Sequence, residues 1–474
     1  MGQDGAFRRG AEEMTRRRCS PRVFAALLAA AALPAALPAP AIAQFNASIY
    51  ATSTYDDNSW AFYEKRADVY HQIFLSLSRD FGAEYSFHQA FYYGALVLFR
   101  TYDTRTYNQH TAGLYSQWQL DYLGDDGDEE EENAEDEEDA GDAGEETRNS
   151  RTVPRESSVV RGPARRDPAL PPRPPADAFN DSLVTYLITK PFVSGRFDRK
   201  EFAFYDFRRA ALNVLLRRHI AGPLMGRLQY EFGYKQYPSF VQFTHIENEV
   251  SSVLNFRILP ATEVYGSAGF GLKSYTETVY DTVFIEVGNG GKGKGGVKPK
   301  KKIVSEYSTP AAGQLALSLG VVQTAAPGVV LGASWARRIN TADPARYLDR
   351  RGLTGATEDE IFEDRYGYEA DEALLTFSAV VAGRLTLEAE AGAAARRYPR
   401  NAADLYGEDL PGSPQRRDSR YSFIIRAAHP LFSRADGSAF LSLGAGYRYL
   451  RNSSNDAYHD YHVNQAWISG QVNM

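Results

Sequence analysis

A single cysteine, Cys19, stands in a chain of 474 residues, so the sequence cannot build a disulfide framework or a thiolate-held zinc or iron–sulfur cluster. Histidine is sparse as well. His71, His88, His110, His219, His245, His429, His459 and His462 show no metal-ligand spacing beyond the loose His459/His462 pair. Neither a G-x-S-x-G elbow nor a G-x-x-x-x-G-K-[ST] phosphate loop occurs. No apolar run of bilayer length follows residue 45, which excludes a polytopic helical membrane protein. A basic surface with interleaved stacking aromatics, as nucleic-acid binding requires, is also missing. The expectation is therefore of no catalytic residues, no metal and no cofactor.

Aromatic residues, by contrast, are plentiful: 30 Tyr and 26 Phe, with aromatics making up 13% of a chain that is 24% charged. The formal net charge of -7 is concentrated in one segment, residues 124–177, which holds 18 acidic and 7 basic residues and leaves the remainder at +4. At the N-terminus, Arg16, Arg17, Arg18 and Arg22 precede the apolar stretch 23–37, and Ala41-Ile42-Ala43 forms a small-x-small cleavage site. Residues 1–43 thus read as a signal peptide, in which Met1 to Glu13 is either an upstream extension or lies ahead of a true start at Met14, and export is expected to remove Cys19.

From Gln44 onward apolar residues recur at every second position in segments of about ten, the period of a strand. Leu228, Tyr230, Phe232 and Tyr234 oppose Arg227, Gln229, Glu231, Gly233 and Lys235. The same division recurs in Leu385, Leu387, Ala389, Ala391 and Ala393, and again in Ala466, Ile468, Gly470 and Val472. Short connections, such as 221–224, 259–262 and 325–328, alternate with generally longer ones, such as 276–308 and 340–372. Short turns at one rim and long loops at the other are the mark of an outer-membrane barrel rather than of a soluble sandwich. Strands are expected to begin near Phe45, Val69, Glu84, Tyr107, Ser182, Arg208, Met225, Thr244, Thr262, Ala312, Val329, Ala373, Leu385, Arg420, Ser438 and Tyr461. The predicted fold is an all-β antiparallel transmembrane barrel of about sixteen strands, within a range of about 14 to 18. An even count leaves both termini in the periplasm, and girdles at the two bilayer interfaces account for the aromatics.

With these features the sequence resembles bacterial outer-membrane β-barrel proteins of the porin-like kind. The resemblance rests on the Ala41-Ile42-Ala43 site, the Tyr55-Asp56-Asp57-Asn58 run closing the first strand, and the last hairpin, residues 447–474. It covers nearly the whole mature chain, and departs at Met474, where such barrels usually end in an aromatic residue. It implies an outer-membrane location in a Gram-negative-type envelope, dependence on the barrel-insertion machinery, and transport as the general function.

The chain then divides into the signal region 1–43, the first barrel strands 44–123, an insertion 124–177, and the remainder of the barrel 178–474. The insertion is acidic at first, then rich in Pro and Arg, and too poor in apolar residues to offset its ordering entropy, so disorder is expected. Strand parity places it in the periplasm, as a partner-docking element or a plain solvated linker. Residues 288–302 carry six lysines in an expected outer loop, where they can meet lipopolysaccharide phosphates or serve as a flexible tip.

Four ascending strands end in a basic residue followed two positions later by Tyr: Arg100/Tyr102, Lys235/Tyr237, Lys273/Tyr275 and Arg396/Tyr398, with Arg338 and Arg448 at similar heights. Spacing of two keeps both members on one face, assigned to the lumen, where they either select anions or simply hydrate the rim. Inward Arg and Glu can also pair across strands and plug the barrel. Three readings of function are open: a pore for diffusion or transport of small polar or anionic solutes, a barrel of a surface-polymer export or assembly system, and a membrane-embedded hydrolase. Because residues 124–177 lack apolar anchors, deleting them is expected to leave a heat-modifiable, folded barrel in the outer membrane. Loss of the folded form on semi-native gels would contradict this.

Overall fold

In the computed structural model, the described residues are 46–59, 61, 65–83, 85–120, 185–277, 279–281, 305–307, 311–342, 364–381, 384–402, 414–433 and 439–473. The signal region, the insertion 124–177 and the lysine-rich stretch 288–302 lie outside them. The strands are β1 (Asn46–Asp56), β2 (Asp68–Ala83), β3 (Ser86–Phe99), β4 (Tyr107–Gln119), β5 (Thr185–Asp198), β6 (Phe207–Ala221), β7 (Leu224–Gln236), β8 (His245–Leu259) and β9 (Thr262–Tyr275). A small hairpin, β10 (Val279–Asp281) and β11 (Ser305–Tyr307), comes next, in the loop after β9. The series resumes with β12 (Ala311–Ala326), β13 (Val329–Asn340), β14 (Glu369–Val381), β15 (Leu385–Ala402), β16 (Gln415–Ser433), β17 (Ala439–Ser454) and β18 (Tyr461–Asn473).

All except β10 and β11 form one closed antiparallel barrel of sixteen strands in sequence order. Most strands begin within a few residues of the positions expected from hydropathy. β14 starts earlier, at Glu369, and β16 at Gln415. The early turns of both are polar, with Glu369, Asp371, Arg416 and Asp418, and no hydropathy alternation announces a strand whose two faces both meet polar surroundings. The ladder nonetheless continues, with Glu369 paired to Arg397 and Asp418 to Ser454. At the short-turn rim, Gly222 (φ 50°) and Gly328 (φ 77°) supply the left-handed backbone that tight hairpins need and side chains resist.

Directly paired residues on neighbouring strands share a face, so the register sorts the whole wall. The outward face is apolar and unpacked: Leu319, Leu375 and Ile468 are 60, 60 and 62% exposed, and Leu228, Tyr230, Phe232 and Tyr234 form a continuous exposed row. Such a surface is stable only against lipid. The barrel closes where β1 meets β18, from Ser48↔Asn473 to Asp56↔Gln465.

Side chains from the Tyr55-Asp56-Asp57-Asn58 run reinforce that seam at its long-loop end. Asn464 donates from its backbone N to Asp57 Oδ1 at 2.6 Å and from Nδ2 to Oδ2 at 2.8 Å, while Gln465 Nε2 donates to Asp56 Oδ2 at 2.7 Å. Asn58 Nδ2 reaches the His462 carbonyl at 3.0 Å. Burial alone would raise the Asp57 carboxyl, but the Asn464 donors and Lys65 outweigh it and hold it below its ordinary 3.8. A depressed carboxylate contributes stability that is full above the ordinary value and is lost as pH falls through the lowered one. The melting temperature of the wild type should therefore exceed that of Asp57→Asn at neutral pH and converge on it in strong acid. A gap independent of pH would contradict the ion's role at the seam.

Candidate functional site: the barrel lumen

The inward face is polar through the middle of the barrel. Glu231 of β7 pairs with Asn213 of β6 and Glu249 of β8, while Glu388 of β15 pairs with Arg426 of β16. Arg209 is bonded to Glu231, and Arg426 donates to Glu390 at 2.8 Å and to Glu388 at 3.4 Å. Arg209 and Glu231 each keep 28% of their side-chain surface exposed; Arg426, Glu388 and Glu390 keep 26, 33 and 28%. These groups face the lumen, Glu231 and Arg426 near the middle of β7 and β16, Arg209 near the long-loop end of β6, and Glu388 and Glu390 toward the short-turn end of β15, and a packed interior would have buried them. Solvent therefore reaches the middle of the barrel.

The long-loop rim is different. There the connections fold onto the inner wall and build small apolar clusters, the largest from Tyr205, Tyr237 and Phe243 with Phe202, Phe207 and Phe240 against them. The basic and tyrosine pairs that recur in the sequence are part of this lining. Lys235 Nζ lies 4.3 Å from the Phe207 ring centroid and 5.0 Å from that of Tyr237. The Arg396 guanidinium lies 4.4 Å above Tyr368, whose ring packs 5.6 Å from Tyr398, and Arg416 covers Tyr398 at 3.9 Å. Lys273 sits 5.8 Å from the Tyr366 ring and 6.0 Å from that of Tyr275. Cation–π contacts of this kind hold each cation at about 0.5–1 kcal/mol and fix the rings beneath the loops.

Register and burial sort the sequence candidates. Lys235, Lys273, Arg338, Arg396 and Arg448 are on the lumen face, as are Tyr237, Tyr275 and Tyr398. Arg100 is not. Phe99 pairs with Tyr70 and Val97 with Gln72 on the inner face, so Arg100 continues the outward row of Leu96 and Leu98, just past the strand end, with Tyr102 beyond it in the next turn. β3 is apolar on both faces, which hides its parity from a hydropathy pattern. Lys273 and Arg338 face inward but are buried, and so are Tyr237 and Tyr398. Arg338 donates to Gln314 Oε1 and Glu372 Oε2, each at 3.3 Å. The register also places Asp68, Asp198, Glu372 and Asp418 on the lumen face beside these cations.

What buries Lys273 is a turn invisible to sequence reasoning: Asp364 to Tyr368, at the end of the β13–β14 connection. Asp364 ion-pairs with Lys273. Arg365 Nη2 donates to Glu247 Oε1 at 2.6 Å and to Glu249 Oε2 at 2.8 Å, neutralising two carboxylates that share one face of β8. The Tyr366 hydroxyl donates to Glu247 at 2.9 Å; burial, and the two glutamates against the opposing pull of Arg365, push its pKa up, so it stays a neutral donor. Gln314 Nε2 holds the Arg365 and Tyr368 carbonyls at 2.7 and 2.9 Å. A Cβ at Gly271 would collide with the Tyr366 hydroxyl, so the β9 glycine makes the seat for this ring.

A closed sixteen-strand barrel with a lipid-facing apolar coat and a wet, charged lumen has the architecture of an outer-membrane β-barrel. No protein-family model matches the chain, and no curated protein matches it. Among solved structures it is similar to Pseudomonas aeruginosa OpdL, at 10% identity and a TM-score of 0.40 over 91% of this chain and 99% of that one. It is similar also to P. aeruginosa OccK5 (OpdH), at 13% and 0.40 over 91% and 99%, and to outer-membrane expressed OmpT of Vibrio cholerae, at 8% and 0.36 over 91% and 97%. At such distance, function is read from the barrel's own geometry.

Removing one partner of a buried ion pair costs about 3–5 kcal/mol. Asp364→Ala should therefore undock the turn without unfolding the barrel. Trypsin should then cut after Arg365 in the variant and not in the wild type, as mapped by mass spectrometry, with heat-modifiable mobility retained. Equal protection of Arg365 in both proteins would show that the pair does not hold the turn.

Proposed function

We propose that the protein is a water-filled pore of the outer membrane that passes small polar solutes with a preference for anions, a conduit rather than an enzyme. The observation that carries this reading is the exposure of Arg209, Glu231, Arg426, Glu388 and Glu390 along the lumen face, with Glu231 and Arg426 near the middle of their strands. The apolar clusters, in turn, are made of residues at the long-loop rim. The bias toward anions comes from the wall formed by β5 to β8. Lys190, Arg196, Arg209, Arg217, Arg227, Lys235 and Arg257 face inward there by register. Of the inward acids on the same strands, Asp198 holds Arg196, Glu231 holds Arg209, and Glu247 and Glu249 hold Arg365. A charged wall in a confined passage concentrates ions of opposite sign.

Purified protein in a planar bilayer should show stable open-channel conductance, and its reversal potential in a low-salt gradient should lie on the anion side. The bias should shrink in 1 M salt, where the Debye length is about 3 Å. Reversal on the cation side would overturn the anion preference, and absence of conductance would overturn the pore.

A further inference from the structure

The lumen wall is not uniform in charge. Directly paired residues share a face, and among the described residues of β1 to β4 the register turns no lysine, arginine or histidine inward, in contrast to the basic wall of β5 to β8. The acids of that sector, Asp56, Asp68 and Asp80, lie toward the strand ends. Its middle is aromatic. Tyr50 of β1 pairs with Phe74 of β2, their ring centroids 5.7 Å apart. Tyr93 of β3 stands diagonal to Phe74 in the register, within reach of an aromatic side chain, and its ring lies 5.2 Å from that of Phe91. Phe91 continues the row through Gly113 of β4 to Phe192 of β5. A Cβ at Gly113 would stand 2.6 Å from Phe91 Cζ and 2.8 Å from Phe192 Cβ, so the glycine leaves room for both.

These rings do not seat loops as those at the long-loop rim do. Phe91 is buried, with Lys190 Nζ 5.0 Å from its centroid, but Tyr93 is 39% exposed, and Tyr50, Phe74 and Phe192 are half-buried at mid-strand, outside the rim clusters. Apolar ring surface left open to a wet lumen marks a place where something docks. Beside the rings stand Gln72, Ser76, Gln109, Thr111 and Ser194, inward by register, whose side chains make no hydrogen bond among the described residues. An amide or hydroxyl offers both donor and acceptor and carries no charge. A pyranose is the complement of such a surface. Its C–H face is apolar and meets the negative face of an aromatic ring, while its edge is a rim of hydroxyls that need donors and acceptors together.

We propose that the β1 to β5 sector of the lumen is a saccharide-binding track, on which Tyr50, Phe74 and Tyr93 stack with sugar faces while Gln72, Gln109 and Thr111 bond to the hydroxyls. The inference rests on the pore reading for its purpose and names a solute class for it, neutral sugars along one wall beside anions along the other. Maltotriose is titrated into protein purified in a detergent without a sugar headgroup, and calorimetry reads the affinity. Benzoate, a ring that carries a carboxylate, is titrated in parallel. Separately, maltotriose is added to one side of a bilayer carrying chloride current.

The wild type should bind maltotriose more tightly than benzoate and carry less chloride current when maltotriose is present. Tyr93→Leu keeps an apolar side chain without the ring and should weaken binding by about threefold to tenfold, whereas Tyr93→Phe, which keeps the ring, should retain most of the affinity. Gln109→Leu leaves the rings in place and should weaken binding by about threefold to tenfold; it carries the test if Tyr93→Leu fails to fold. Tyr230→Leu, which removes an aromatic ring from the lipid face, should leave the affinity unchanged. Conductance without maltotriose binding, or with an affinity indifferent to Tyr93→Leu and Gln109→Leu, would overturn the track and leave the pore. Tighter binding of benzoate would overturn the sugar assignment. Maltotriose binding that is lost in both variants, in a protein that does not conduct, would keep the track and overturn the pore.

Discussion

Backbone amides in hydrocarbon have no water to bond, so every strand in the membrane must find two neighbours. In this chain that demand is met only when β1 reaches β18 across the full length of the sequence. Closure at that seam removes the last free edges, and the wall's two-sided chemistry depends on it. A closed wall has one face for lipid and one for whatever it encloses, so side chains must alternate between the two solvents. The outward row of Leu228, Tyr230, Phe232 and Tyr234, and the inward row of Arg227, Gln229, Glu231 and Lys235, are the two halves of one requirement. The acidic run at the end of β1 then pins the seam through Asn464 and Gln465.

Within the lumen the charges do two kinds of work, separated by height. At the long-loop rim, Lys273 and Arg396 are held by loop residues and rings and Arg338 by Gln314 and Glu372 of the neighbouring strands, and the Asp364 to Tyr368 turn is riveted to β8, β9 and β12. Such an arrangement stiffens the mouth and fixes how far a connection protrudes inward. Lower down, side chains are paired more loosely and remain wet, which is where a field can act on a passing ion.

Much of the barrel is legible in the sequence because period-two alternation is dictated by two solvents acting on a pleated strand. The sixteen strands, their short turns and the inward placement of Lys235, Lys273, Arg338, Arg396 and Arg448 all derive from that one pattern. It fails where the physics behind it lapses. β3 presents Phe91, Val97 and Phe99 inward and Leu96 and Leu98 outward, so its parity is set by pairing with β2 and not by polarity, and alternation alone puts Arg100 on the wrong face. The polar beginnings of β14 and β16 lie where alternation carries no signal. The burial of Lys273 and Tyr398 depends on loops that fold back onto the wall, and the contact of Asp57 with Asn464 joins residues 407 positions apart; neither is encoded in a local spacing.

The central claim is that the barrel encloses solvent. Cys19 is the chain's single cysteine, so in a Cys19→Ser background a thiol introduced at one position can be read without interference. Asn213 and Leu212 are neighbours at mid-β6, the first on the face of Glu231 and the second on the lipid face. A charged, membrane-impermeant thiol reagent applied to proteoliposomes should label Asn213→Cys rapidly and leave Leu212→Cys unreacted. Labelling of Leu212→Cys with protection of Asn213→Cys, or protection of both, would contradict a solvent-filled lumen.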